Sequence, residues 1–212
     1  MVERITACSG WLLAGGEGRR VGGQDKGLLV WEGAPMARHI LRGMAPQVGA
    51  LGIVANRNPD AYQALLREAT DAAPATHHLG VHADRADLPR FSGPLGGMIT
   101  AMQASATPWV WFLPCDMPRL PSDMLATLWR EVHRTGADIA VPSTADRVDA
   151  VRHHWVCALM NQRVMTTLLP AFNSGERKVG HLIARCNWTS VSFDDAAGFV
   201  NLNTLETKHG GD

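Results

Sequence analysis

The chain has 212 residues, with 20 Lys and Arg against 20 Asp and Glu, and 46% of its residues are hydrophobic. That length suits one domain able to bury a core without disulfide or metal staples. A formal charge of zero supplies no whole-chain attraction to nucleic acid or to an anionic membrane, so neither is expected as a partner.

Thr6–Leu13 reads as a buried strand running into glycines. Pro35–Val48 carries Met36, Ile40 and Met44 at helical spacing, with Pro35 suited to the first turn. Leu51–Ala55 is a second strand, and Pro59–Ala69 a helix with Tyr62, Leu65 and Leu66 on one face. Leu79–Ala83 is a weak strand, and Pro94–Ser105 a helix of small residues that can pack closely on a sheet. Trp109–Leu113 gives the strongest strand signal, an unbroken apolar run expected of a central parallel strand buried on both faces. Ser122–Arg134 is a helix with Ser122 as its N-cap. Asp138–Val141 and His154–Met160 read as strands, and Asn161–Phe172 as a helix broken near Pro170. Lys178–Cys186 reads as a helix, Thr189–Phe193 as a strand, and Lys208–Asp212 as a frayed tail.

This alternation predicts an α/β fold: three layers, a mostly parallel twisted sheet with helices on both faces, Rossmann-like. With no linker-like stretch, 1–212 is expected to form a single domain. Such sheets bind ligands at the carboxyl ends of their strands. The four cysteines are scattered without a C-x-x-C pair, and no signal peptide or membrane-length apolar run is evident. A cytoplasmic location is the resulting expectation.

Two segments carry chemistry. Five glycines lie between Gly15 and Gly23, with Arg19, Arg20 and Lys26 alongside. Glycines let backbone N–H groups approach an anion and the cations offset its charge, which points to phosphate rather than to a flexible hairpin with solvated cations. Lys26 is followed by Gly27, which excludes a P-loop, and Gly16-x-Gly18-x-x-x-Gly22 is one residue too long for a dinucleotide fingerprint. The second segment is Pro114-Cys115-Asp116-Met117-Pro118, which places a carboxylate just past the strongest strand. Asp116 suits either a local turn or Mg²⁺, which is commonly held by one or two carboxylates plus substrate phosphates. Opposite a phosphate loop, the metal reading is favoured.

Leu12-Leu13-Ala14-Gly15-Gly16, Arg19-Arg20, Gly22-Gly23 and Asp25-Lys26-Gly27-Leu28-Leu29 together resemble the signature of Mg²⁺-dependent nucleotidyltransferases. The resemblance is to the MobA-type molybdenum cofactor guanylyltransferase family. It extends through Asn56-Arg57, Gly93-Pro94-Leu95-x-Gly97-Met98, Pro114-Cys115-Asp116-x-Pro118, Gly175-Glu176-Arg177-Lys178-Val179 and Val200-Asn201-Leu202-Asn203-Thr204, in the family's order. It implies transfer of GMP from GTP to the terminal phosphate of molybdopterin, with release of pyrophosphate. It implies nucleotide contacts from Leu13, Ala14, Gly15, Lys26, Asp84 and Asp116, with Asp116 also on Mg²⁺. Arg20, Gly23, Gly93, Asn201 and Asn203 match positions on the pterin side or tied to turnover. It further implies a nucleotide-binding part over about residues 1–120 and a pterin-binding part over about 121–212. Transient contact with cofactor-synthesis and acceptor proteins is a family-level expectation. The family often has a nucleotide-contacting Asn where this chain has Val54, and Asn56 either substitutes for it or serves separately.

A phosphate monoester is largely dianionic at neutral pH and needs no general base, consistent with the lack of a Ser–His pair. Asp116 with its metal, Lys26 and Arg20 would then neutralise the triphosphate and the leaving pyrophosphate. His77-His78-x-x-x-His82 has no standard zinc spacing. His153-His154 suit half-buried structural roles or pterin-side lining, and Arg177-Lys178 suit an anionic cofactor or a solvated helix start. Alternatives are a cytidylyltransferase on the same cofactor, a sugar-phosphate nucleotidyltransferase, and, more remotely, a non-catalytic cofactor carrier.

Overall fold

The computed structural model describes residues 3–14, 24–84, 93–145 and 150–200. β1 (Ile5–Leu13) is followed by a short 3₁₀ turn, Lys26–Leu28, and a small hairpin, β2 (Val30–Trp31) with β3 (Ala34–Pro35). α1 (Met36–Met44) leads through a second 3₁₀ turn into β4 (Val48–Val54), then α2 (Pro59–Asp71), β5 (His77–His82), α3 (Gly93–Ala104) and β6 (Trp109–Pro114). α4 (Met124–Thr135) and β7 (Ile139–Ala145) follow, then β8 (Val151–His153), β9 (Leu159–Asn161), α5 (Met165–Asn173), α6 (Val179–Ile183) and β10 (Trp188–Ser192).

Seven strands run in the order β10-β7-β9-β6-β1-β4-β5, and β8 completes an eight-stranded sheet by pairing with β7. β1 is parallel to both β4 and β6, β4 is parallel to β5, and β10 is parallel to β7. β9 is antiparallel to β6 on one side and to β7 on the other. One core cluster joins the sheet to α1, α2 and α4, and the other joins it to α3, α5 and α6. The expected three-layer α/β architecture is therefore the one observed. Among the described residues no helix is long and apolar enough to cross a membrane.

Burial explains why the central strands form as they do. Trp11, Trp111 and Phe112 are fully enclosed, as neighbouring parallel strands covered on both faces require. Gly52 on β4 makes room for the Trp11 ring, since a Cβ there would lie 2.7 Å from it.

Several boundaries differ from the sequence expectation. The helix expected over Pro35–Val48 stops at Met44, Pro35 pairs in the hairpin, and Val48 already begins β4. α4 is preceded by Asp123 rather than capped by Ser122; the Leu125 N–H is instead met by Gln47 Oε1 at 3.3 Å. His154–Met160 is not one strand but the 3₁₀ turn Trp155–Cys157 between β8 and β9. Pro170 lies inside α5, which continues past it to Asn173. α6 spans Val179–Ile183, shorter than Lys178–Cys186.

Candidate active site

The carboxyl ends of four adjacent parallel strands finish level with one another. Leu13 pairs in register with Val54 on one side and with Pro114 on the other, and Val54 pairs with His82. The chain leaves each strand at that rim, so Ala14, Ala55, Asp84 and Cys115-Asp116 gather along one edge. Backbone bonds continue past the strands: Ala14 N–H donates to the Val54 carbonyl, Ala55 N–H to His82, and Cys115 N–H to Leu13. Leu13 and Ala14 are buried at this rim.

Lys26 reaches the rim from the 3₁₀ turn after the glycine-rich segment. Its Nζ lies 3.9 Å from Asp116 Oδ2, with 21% of the Lys26 side chain and 16% of the Asp116 side chain exposed. Gly27 is wedged in the same place: a Cβ on it would overlap the Tyr62 hydroxyl and come within 3.2 Å of Cys115 Cβ. Burial pushes the Cys115 thiol up to about 12, helped by the Asp116 and Asp25 carboxylates, so it stays protonated at neutral pH.

Asn56 and Asp84 form a reciprocal pair beside Gly97. Asn56 Nδ2 donates to Asp84 Oδ2, and the Asp84 backbone N–H donates to Asn56 Oδ1, both at 2.8 Å. The other oxygen, Asp84 Oδ1, is shielded from solvent without a hydrogen-bond partner among the described residues, and lies 3.8 Å from where a Gly97 Cβ would stand. Leu13 and Val54 side chains border the same glycine. The Asn56 amide, two residues after Val54, pairs with Asp84.

Gly93 opens α3 with a φ of 65°, a left-handed conformation that a side chain would strain. Gly15, Arg20, Gly23, Asn201 and Asn203 lie outside the described residues. Leu13, Ala14, Lys26, Asn56, Asp84 and Asp116 therefore come to one rim of the sheet.

Other sequence candidates have local partners. The Arg177 guanidinium stacks 4.1 Å from the Phe172 ring centroid and donates to the Phe172 carbonyl, serving the end of α5. His153 stacks on Trp155, and His154 on Phe199. His78 Nε2 meets the Gln63 amide, while His82 Nε2 meets the Leu79 carbonyl. Among the described residues no three His, Cys, Asp or Glu side chains group as a metal cage.

Sequence reasoning missed three contributors. Tyr62 reads as a core residue by spacing, yet its hydroxyl donates to Asp25 Oδ1 at 2.5 Å. Asn58 donates to Asp25 Oδ2 at 3.0 Å. Arg119 ties the Asp116 loop to the β2–β3 hairpin, donating to Glu32 at 3.3 Å and lying 5.3 Å over the Trp31 ring.

A family model described as a MobA-like NTP transferase domain matches residues 10–189. Molybdenum cofactor guanylyltransferase of Cupriavidus necator is 39% identical over 198 residues, covering 93% of this chain and 92% of its own. The protein of the same name from Bordetella petrii is 40% identical over 205 residues, covering 97% and 96%. Among solved structures, molybdopterin-guanine dinucleotide biosynthesis protein A of Archaeoglobus fulgidus aligns at a TM-score of 0.66 with 22% identity over 93% of each chain. 4-Diphosphocytidyl-2C-methyl-D-erythritol synthase of Anaerococcus prevotii aligns at 0.71 with 8% identity, covering 95% and 94%, a likeness of fold alone.

Proposed function

The chain belongs to the MobA-like NTP transferase family, and from that premise we propose how it works: it transfers GMP from GTP to the terminal phosphate of molybdopterin and releases pyrophosphate. Relatives at about 40% identity over nearly their whole length support the guanylyl activity. One observation carries the site assignment: Lys26 Nζ and the Asp116 carboxylate lie 3.9 Å apart just past the rim where β1 and β6 end.

The rim formed by Leu13, Ala14, Lys26, Asn56, Asp84 and Asp116 receives GTP, and Gly15 is assigned to the nucleotide from its place in the sequence motif. In this reading residues 1–120 or so hold the nucleotide, and about 121–212 face the pterin, with Gly23, Gly93, Asn201 and Asn203 on that side. The cytosine alternative differs at the base edge. In this reading the Asp84 carboxylate accepts from guanine, whose adjacent N1–H and N2–H₂ are two donors where the cytosine edge offers only N4–H₂.

The donor set fits Mg²⁺ as a single anchor. Asp116 offers one hard carboxylate at the rim, and Mg²⁺ characteristically completes its shell with water and substrate phosphates rather than a protein cage. Asp116 would hold the ion, which when bound supplies positive charge against the triphosphate.

The chain's own residues supply the rest. A terminal phosphate oxygen of molybdopterin attacks the α-phosphorus of GTP, a P–O bond forms, and the bond from that phosphorus to the β-phosphate bridging oxygen breaks. The electron pair leaves with pyrophosphate. Lys26 and Arg20 offset charge on the β- and γ-phosphates, while the Asn56–Asp84 pair fixes the base so that attacking and leaving oxygens are in line. No proton need be removed from a dianionic nucleophile. The test is pyrophosphate release with Mg²⁺ and molybdopterin: GTP should support it and CTP should not. Equal release with CTP would overturn the guanylyl reading, and nucleotide binding without release would indicate a carrier.

A further inference from the structure

Asp25 immediately precedes the lysine assigned to the phosphates, and its carboxylate is held from one direction. Both donors come from the start of α2: the Tyr62 hydroxyl takes Oδ1 at 2.5 Å, and the Asn58 amide takes Oδ2 at 3.0 Å. Neither donor is loosely placed. Tyr62 is fully buried, and burial also makes its hydroxyl a weaker acid, so it serves as donor to the carboxylate. Asn58 has a φ of 49°, a left-handed conformation that asparagine tolerates better than most residues, and its carbonyl accepts the Tyr62 N–H.

Lys26 has two carboxylates within reach of its short turn, Asp25 before it in sequence and Asp116 across the rim. Gly27, next to Lys26, packs against the Tyr62 hydroxyl that holds Asp25 and against Cys115, the residue before Asp116. An ammonium shared between two carboxylates is neutralised before a phosphate arrives.

We propose that Tyr62 and Asn58 are positioning residues of the active site: by occupying both oxygens of Asp25 they keep that carboxylate from pairing with Lys26, leaving the ammonium beside Asp116 for the triphosphate. Gly27 completes the arrangement, because its missing side chain lets the turn lie against the Tyr62 hydroxyl. The inference rests on Lys26 being a phosphate ligand.

The test is a double-mutant cycle read by steady-state kinetics and by equilibrium binding of GTP. Tyr62→Phe keeps the ring and removes one donor to a charged acceptor; the KM for GTP and its Kd should both rise about tenfold, with kcat changed less than about threefold. Asn58→Gly keeps the left-handed backbone and should act in the same direction. In an Asp25→Asn background there is no carboxylate to restrain, so adding Tyr62→Phe should change KM and Kd less than about twofold. Unchanged GTP affinity in Tyr62→Phe overturns the proposal. So does an equal rise in both backgrounds, which is the signature of general loosening. Lys26→Ala with undiminished GTP affinity would remove the phosphate assignment itself, a distinct failure that takes the proposal with it.

Discussion

Asn56 and Asp84 are 28 residues apart in sequence and hold each other through two hydrogen bonds of 2.8 Å at the ends of neighbouring parallel strands. Because β4 and β5 are in register there, the strand pairing itself brings the two side chains together. Asn56→Ala should leave the Asp84 carboxylate free to turn away from Gly97. The expected result is a fivefold to thirtyfold rise in Kd for GTP, about 1–2 kcal/mol, with the unfolding midpoint little changed. Titration of GTP by calorimetry checks it. Asp84→Asn should narrow the preference for GTP over CTP.

Asp116→Ala should lower the rate of pyrophosphate release by about a hundredfold or more, as expected when an electrostatic element of a phosphoryl-transfer site is removed. Asp116→Asn should be nearly as damaging, since an amide keeps the shape but not the charge. Chelating divalent cations should mimic either variant, and restoring Mg²⁺ should rescue only the wild type. Turnover of Asp116→Ala at the wild-type rate would exclude it as the metal anchor.

Gly27→Ala probes the packing under the lysine. Its Cβ must displace the Tyr62 hydroxyl or the Cys115 Cβ, and overpacking of this kind typically costs about 1–3 kcal/mol. A lower urea midpoint together with weaker GTP binding is expected. A stable variant with wild-type affinity would mean that the turn has room to shift.

His154 makes stability depend on pH. Burial lowers its pKa to about 4 from 6.5, helped by the charges of Arg152 and His153. The ring is stacked on Phe199 and meets Thr144 Oγ1 at 3.0 Å. Between those two pH values the unfolded chain binds a proton that the folded chain does not, so this contribution is complete above pH 6.5 and is lost as pH falls towards 4. Urea midpoints measured across that window should fall less steeply for His154→Phe than for the wild type.

The strongest parts of the architecture were written in long patterns. Trp109–Leu113 is an apolar run of which Val110–Leu113 are buried, and α3 and β1 come out within a residue or so of expectation. The β2–β3 hairpin was invisible because two-residue strands have no periodicity, and its turn uses Glu32 and Gly33 at positive φ rather than a familiar Asn-Gly pair. His154–Met160 has the composition of a strand, but the Cys157 N–H bonds back to the His154 carbonyl and closes a turn instead. At the rim, Lys26 and Asp116 were legible from composition and position. Tyr62 was not, because a buried aromatic at helical spacing looks the same whether or not its hydroxyl reaches a carboxylate.

The reversed direction of β9 has a consequence for assembly on the ribosome. By Pro114 the chain has supplied β1, β4, β5 and β6, a contiguous parallel block that needs nothing synthesised later to complete its ladder. β7 emerges with no strand yet made to pair with, and its link to β6 waits for three residues, Leu159–Asn161. The rim where β1, β4, β5 and β6 end can thus form early in biosynthesis, while the remainder of the sheet docks afterwards through that narrow strip.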